Sequence, residues 1–301
     1  MANNTLANQY CLIAFNGKEV ADAGIVQDRR NRCLVTACFL GNLLSGKIQS
    51  CDGKYTIRYM EDSELSDLLS PQTEMRGLGA WIEYINDIPE SKINKFKESF
   101  VNNLVEKGEL DIVPSLQEAD YEFRLSNLKA DQYRGDYTIY HQVIERYKRN
   151  IFSDNPETDN ICLTWLLVQS GDLHDVFSGE EVTKLESLFS KFSQDDSVSG
   201  EVFRCSLETG LKGNLKSYLI RMAEKFEKET IFIETEKMFP DSEECMTAVK
   251  NILESNGHIC QVRQTGKVPV MEIDNVLYNL TPAAKRVRVI NIHGVRLSRH
   301  I

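Results

Sequence analysis

The chain has 301 residues, 42% hydrophobic and 27% charged, which are the proportions of a globular protein and exclude a disordered or fibrous one. Its 35 Lys and Arg against 45 Asp and Glu give a formal net charge of −10, which opposes non-specific binding to a nucleic-acid phosphate backbone. No apolar run reaches the ~18–20 residues of a membrane-spanning helix, so the expectation is a protein that touches a membrane without crossing it.

The stretch from Leu6 to Phe15 is rich in apolar residues and stops at Asn16-Gly17, which predicts an opening helix. From about Asn31 to Leu44 the chain is hydrophobic all round (Cys33, Leu34, Val35, Ala37, Cys38, Phe39, Leu40, Leu43, Leu44). That pattern predicts a helix at the centre of the core, closed at Ser45-Gly46. Lys47 to Gln49 and Tyr55 to Tyr59 flank Asp52-Gly53, a strong hairpin signal. The same unit recurs. A helix opens at Ser91, carries Ile93, Phe96, Phe100, Val101, Leu104 and Val105 at helical spacing, and ends at Lys107-Gly108. Two strands are expected after it, at Leu110 to Val113 and Tyr121 to Leu125. Three more helices are expected at Asp136 to Asn150, Asp159 to Gln169 and Gly179 to Phe192.

Beyond Gly213 the texture changes. Leu215, Tyr218, Leu219, Met222 and Phe226 mark an amphipathic helix, followed by a strand at Thr230 to Thr235. A helix then opens at Asp241, with Glu244 completing a capping-box pattern. Strands are expected at Ile259 to Arg263, Val268 to Ile273, Val276 to Leu280, Val287 to Ile292 and Val295 to Arg299, with turns at Asp274-Asn275 and His293-Gly294. The predicted architecture is mainly α with β-hairpins. A compact helical domain at residues 1–211 is followed by a small α+β module at residues 212–301.

Few motifs point to catalysis. Gly41 to Lys47 nearly spells a phosphate loop, but Ile48 stands where a magnesium-binding hydroxyl is needed, and the glycine closes a helix instead of opening one. The eight cysteines form no CxxC, and no basic-then-apolar leader opens the chain, so reduced thiols in a cytosolic protein are expected. His258 and Cys260 lie close together but lack further ligands at zinc spacing, and no GxSxG or local Cys/His signature is present. The expectation is a non-enzymatic protein with no metal and no cofactor.

The basic residues are more informative. Arg29, Arg30 and Arg32 lead into the central helix. Arg146 and Arg149 are three apart on the helix at 136–150, so they share a face and can chelate one phosphate group. A second basic face is expected where Arg286 and Arg288 alternate with Val287 and Val289, with Arg296 on the opposing arm of that hairpin. The stretch from Leu280 onward contains no Asp or Glu.

The twofold order of helix, glycine and hairpin, with Trp81-Ile82-Glu83 between, resembles the Golgi phosphoprotein 3-like family over about residues 5–211. The resemblance is carried by the run from Leu34 to Gly46-Lys47-Ile48, by Phe100 to Gly108-Glu109-Leu110, and by Asp159 to Gly171 with Val176-Phe177. It implies a mostly helical domain, cytosolic and peripheral to membranes, that binds phosphatidylinositol 4-phosphate. In the eukaryotic members it also implies an adaptor role toward a protein partner. In ungapped register the family's head-group positions fall on Val26, Val35, Gln142 and Glu145, so the candidates here follow from charge: Arg29, Arg30, Arg32, Arg146 and Arg149. The expected partner is therefore an anionic phospholipid membrane, at ~1 kcal/mol per basic residue near the leaflet. Nucleic acid is disfavoured, and a homo-oligomer is compatible with the sequence. The rival reading is a tandem winged-helix DNA-binding regulator, which requires a basic recognition helix.

Overall fold

Helices dominate the N-terminal two-thirds of the chain because the apolar residues there recur at helical spacing. The structure, a computed structural model, describes residues 5–21, 24–57, 63–70, 74–194, 197–205, 230–235, 242–287 and 290–300. Contacts divide the chain into two compact units. Of the described residues, those within 5–14, 24–109 and 141–205 build the first unit, and those within 15–21, 110–140 and 230–300 build the second. The boundary expected at 211 lies outside the described residues. The α+β module also takes in two earlier stretches, at 15–21 and 110–140, which the sequence had assigned to the helical domain.

In the first unit, α1 (Leu6–Ala14) and α2 (Ile25–Leu44) pack together, and α2 also meets α5 (Glu90–Glu106) and α8 (Thr158–Ser170). As expected, α2 is buried on all sides between Cys33 and Leu40. It starts six residues earlier than the apolar pattern indicates, since Gln27, Arg30 and Asn31 are polar yet buried. A hairpin of β1 (Gln49–Cys51) and β2 (Lys54–Thr56) turns at Asp52-Gly53, both at positive φ (50° and 68°), as a two-residue primed turn requires. After α3 (Ser63–Leu69), α4 (Leu78–Asp87) brings Trp81 into the core, where its indole N–H donates to the carbonyl of Tyr55 at 3.0 Å and its ring meets Phe39. Past α8, α9 (Gly179–Ser193) opens on the full capping box of Ser178 and Glu181, and α10 (Val198–Arg204) packs on α9 and α8.

Among the described residues the second unit holds two antiparallel sheets. In the smaller, β3 (Leu110–Pro114) pairs with β4 (Asp131–Gly135) and not with residues 121–125. Those residues form the short helix α6 (Tyr121–Leu125), which corrects the expected strand. The reason is local: Asp120 caps this helix, its Oδ1 accepting from the backbone N–H of Glu122 and Phe123. The division between units falls inside α7 (Tyr137–Ile151), after Tyr140.

The larger sheet has the order β5-β9-β8-β7-β6, from β5 (Thr230–Glu234), β6 (Cys260–Gln264), β7 (Val270–Ile273), β8 (Val276–Val287) and β9 (Ile290–Arg299). One face packs on α11 (Ser242–Ser255) through Met246, Val249, Leu253, Met271, Leu280, Val295 and Leu297. The mainly α architecture with a C-terminal α+β module is thus as expected.

The Asp274-Asn275 turn is present, with both residues at positive φ. The His293-Gly294 turn is not. Those residues lie inside β9 opposite Ala284 and Ala283, so three expected strands are two long ones. Expectations for the helix at 215–226 and for the cap Asp241 lie outside the described residues.

Candidate functional site

The five arginines expected at a head-group site have different local fates. Arg30 is 4% exposed, and its Nε and Nη2 donate to both oxygens of Asp172, at 3.0 and 2.8 Å. Its Nη1 donates to Gln27. Desolvation works against the cation here, but the adjoining Asp172 carboxylate outweighs it and holds the guanidinium charged. Arg32 donates from Nε to Asp28 at 2.8 Å, and from Nη1 to the carbonyls of Ile85, Asn86 and Ile88. It therefore caps the C-terminal end of α4, where the helix leaves carbonyls without partners. Arg30 is enclosed with its partners, and Arg32 is tied by Nε and Nη1 to acceptors of the chain itself; neither stands as a free cation for a head group, which corrects the expectation for both. Arg29 is half-buried and engaged in interactions of its own.

Arg146 and Arg149 stand elsewhere. The inner stripe of α7 is Tyr140, Val143, Tyr147 and Ile151, all buried. Within the first unit the hydroxyls of Tyr147 and Thr164 lie 2.7 Å apart, and the Tyr147 ring meets Phe177 edge-on. Anchoring that stripe forces Gln142, Glu145, Arg146 and Arg149 outward, and all four are exposed. Among the described residues neither arginine makes an ion pair or side-chain hydrogen bond. Their neighbour Lys148 does: it donates to Glu181 at 2.8 Å and lies over the Phe177 ring. The structure thus reduces the expected cluster to one pair of exposed arginines on α7.

The second basic face is also rearranged. In the β8–β9 ladder Arg286 pairs with Asn291 and Arg296 with Thr281, so strand alternation puts Arg286 and Arg296 on opposite faces. Lys285, opposite Ile292, shares the face of Arg296, and Arg288 lies outside the described residues. The sequence reading missed Lys285 because it began the strand at Val287, whereas β8 runs unbroken from Val276 to Val287. Counting along the ladder from the Val287–Ile290 pair places Lys285 opposite Ile292.

Other expectations concern the cysteines and the near-phosphate loop. Gly46, with φ of 74°, ends α2, and no helix starts at Lys47. All eight cysteines are free thiols. Cys33 and Cys38 are both buried in α2, and burial pushes the Cys33 thiol well above the usual range. His258 is buried, with Nδ1 2.6 Å from Asp274 Oδ2. The same carboxylate accepts from Gln132 Nε2 and the backbone N–H of Ile259. This holds the β7–β8 turn to the start of β6 and leaves no set of ligands, since no cluster able to hold a metal occurs among the described residues. No described helix is long and apolar enough to cross a membrane. Comparison with models of known protein families gives no match, and comparison with curated protein sequences gives none either.

Proposed function

We propose that the chain is a non-enzymatic, Golgi phosphoprotein 3-like peripheral membrane protein that docks on an anionic, phosphoinositide-bearing surface through the outer face of α7. The observation that carries this reading is the state of Arg146 and Arg149: both exposed, on one helix face, and without a carboxylate partner among the described residues. Two such cations side by side on one helix face supply an attraction of ~1 kcal/mol each near an anionic leaflet. Family membership rests on the sequence words at 34–48, 81–83, 100–110 and 159–177, and the adaptor role toward a protein partner rests on that resemblance alone. The tandem winged-helix reading is weakened by burial. Residues 33–40 of α2 are enclosed by other helices and cannot enter a DNA groove.

Co-sedimentation with vesicles tests the proposal. The chain pellets with vesicles containing phosphatidylinositol 4-phosphate or phosphatidylserine, loses this on raising salt, and stays in the supernatant with phosphatidylcholine alone. Equal recovery in the supernatant for every vesicle, with salt-sensitive retention on random duplex DNA, would favour the regulator instead.

A further inference from the structure

A cavity of about 730 Å³ opens in the second unit, walled by residues that include Phe123, Leu128, Phe232, Lys285 and Arg296. Its construction follows from the strand register. Phe232 on β5, Arg296 on β9 and Thr281 on β8 form one cross-strand row, and Lys285 lies farther along the same face. That face is opposite the one carrying Leu280, Val295 and Leu297 to α11.

Helix α6 stands over this face, tied by Lys285 to Glu122 at 2.6 Å and by Arg124 to Glu234 at 2.8 Å. Asp120, at the start of α6, accepts from the N–H of Phe232 at 2.7 Å. The floor is flattened by Gly294. A Cβ there would run into the Ile233 carbonyl and the Phe232 ring, so only glycine lets that ring lie across the strand beside Arg296.

The charges in the wall are almost all answered. Glu122 is neutralised by Lys285, and Asp120 accepts three backbone N–H groups. Glu19 and Arg299 are engaged in interactions of their own. Arg296 is exposed, and its guanidinium makes no ion pair or hydrogen bond among the described residues. An unanswered cation beside a buried aromatic ring, in a space large enough for a small molecule, calls for an anion with a flat apolar portion.

We infer that this cavity binds a small soluble amphipathic oxyanion, its phosphate or carboxylate on Arg296 and its planar group against Phe232. The site is independent of the α7 surface. The test is calorimetric titration of the full chain with 1-naphthyl phosphate and 1-naphthoate, with inorganic phosphate and 1-naphthol as controls. Saturable binding of at least one naphthyl anion is expected, tighter than either control. Arg296→Gln should weaken it at least tenfold, whereas Arg286→Gln on the opposite face and the pair Arg146→Ala/Arg149→Ala should leave it within twofold. Arg296 is exposed, so the variant should melt as the parent does. Absence of saturable heat from both naphthyl anions, or unchanged affinity in Arg296→Gln, would overturn the inference. Displacement of the probe by phosphatidylinositol 4-phosphate vesicles would also overturn it, because the cavity would then be a lipid site.

Discussion

Arg30 and Asp172, 142 residues apart in sequence, form a two-pronged ion pair with side chains only 5% and 1% exposed. Enclosed charge of this kind is costly to leave half-made, so the pair acts as a clasp between α2 and the turn after α8. Asp172→Asn should destabilise the chain by about 3–5 kcal/mol in urea denaturation, because it strands a buried guanidinium. A variant as stable as the parent would show that the guanidinium can reach water.

Thiol reactivity should separate the cysteines. Only Cys51 is exposed, while burial pushes Cys205 up to about 11 and Cys162 and Cys260 up to about 12. Since the thiolate is the reacting form, iodoacetamide at pH 8 should label Cys51 first in the native chain. The buried thiols should follow only after denaturation. Peptide mapping reads the order, and early labelling of Cys33 or Cys162 would contradict the packing of α2 and α8.

Glu181 links the start of α9 to α7. Desolvation raises its pKa, but the bonds from Lys148 and from the Ser178 backbone outweigh this and hold the carboxyl below the ordinary glutamate value. A lowered folded value means that the stabilisation is present above the unfolded pKa of ~4.3 and is lost as pH falls through the folded one. Glu181→Gln should therefore cost about 1 kcal/mol at pH 7 and progressively less below pH ~4. A cost that stayed constant from pH 7 to pH 3 would mean that shape and not charge matters there.

Gly294→Ala places a methyl group against the Ile233 carbonyl and the Phe232 ring. The neighbour on one side is backbone and cannot rotate away, so a destabilisation of about 1–3 kcal/mol or more is expected in thermal or urea unfolding. An unchanged midpoint would mean that β5 shifts at no cost.

Local signals read well from sequence, and distant pairings did not. The helical stripes of α5 and α9 and the primed turns at Asp52-Gly53 and Asp274-Asn275 depend on neighbours within a few residues, and each was legible. The first turns of α2 were not, because Gln27, Arg30 and Asn31 look solvated until Asp172 and Asn94 arrive to bond them. Residues 121–125 were expected as a strand, but the cap at Asp120 makes them helical. The actual partner of β3 is Asp131 to Gly135, a polar segment whose burial comes from the chain folding back over it. The basic face at the C-terminus was misread for a related reason: which arginines share a face depends on the pairing of two strands, and the β8–β9 register puts Arg286 and Arg296 on opposite faces. Within the candidate site, the shared exposed face of Arg146 and Arg149 was legible, since the helical spacing that exposes them is itself local.

The measurement closest to the central claim is vesicle binding by the charge-reversed chain Arg146→Glu/Arg149→Glu, with Arg286→Glu as control. Losing two residues worth ~1 kcal/mol each lowers affinity for phosphatidylinositol 4-phosphate vesicles roughly 30-fold, and reversal should lower it further, while the control stays near the parent. Pelleting of the double variant equal to that of the parent, at the same salt and with an unchanged melting temperature, would contradict the assignment of α7 as the membrane-facing surface.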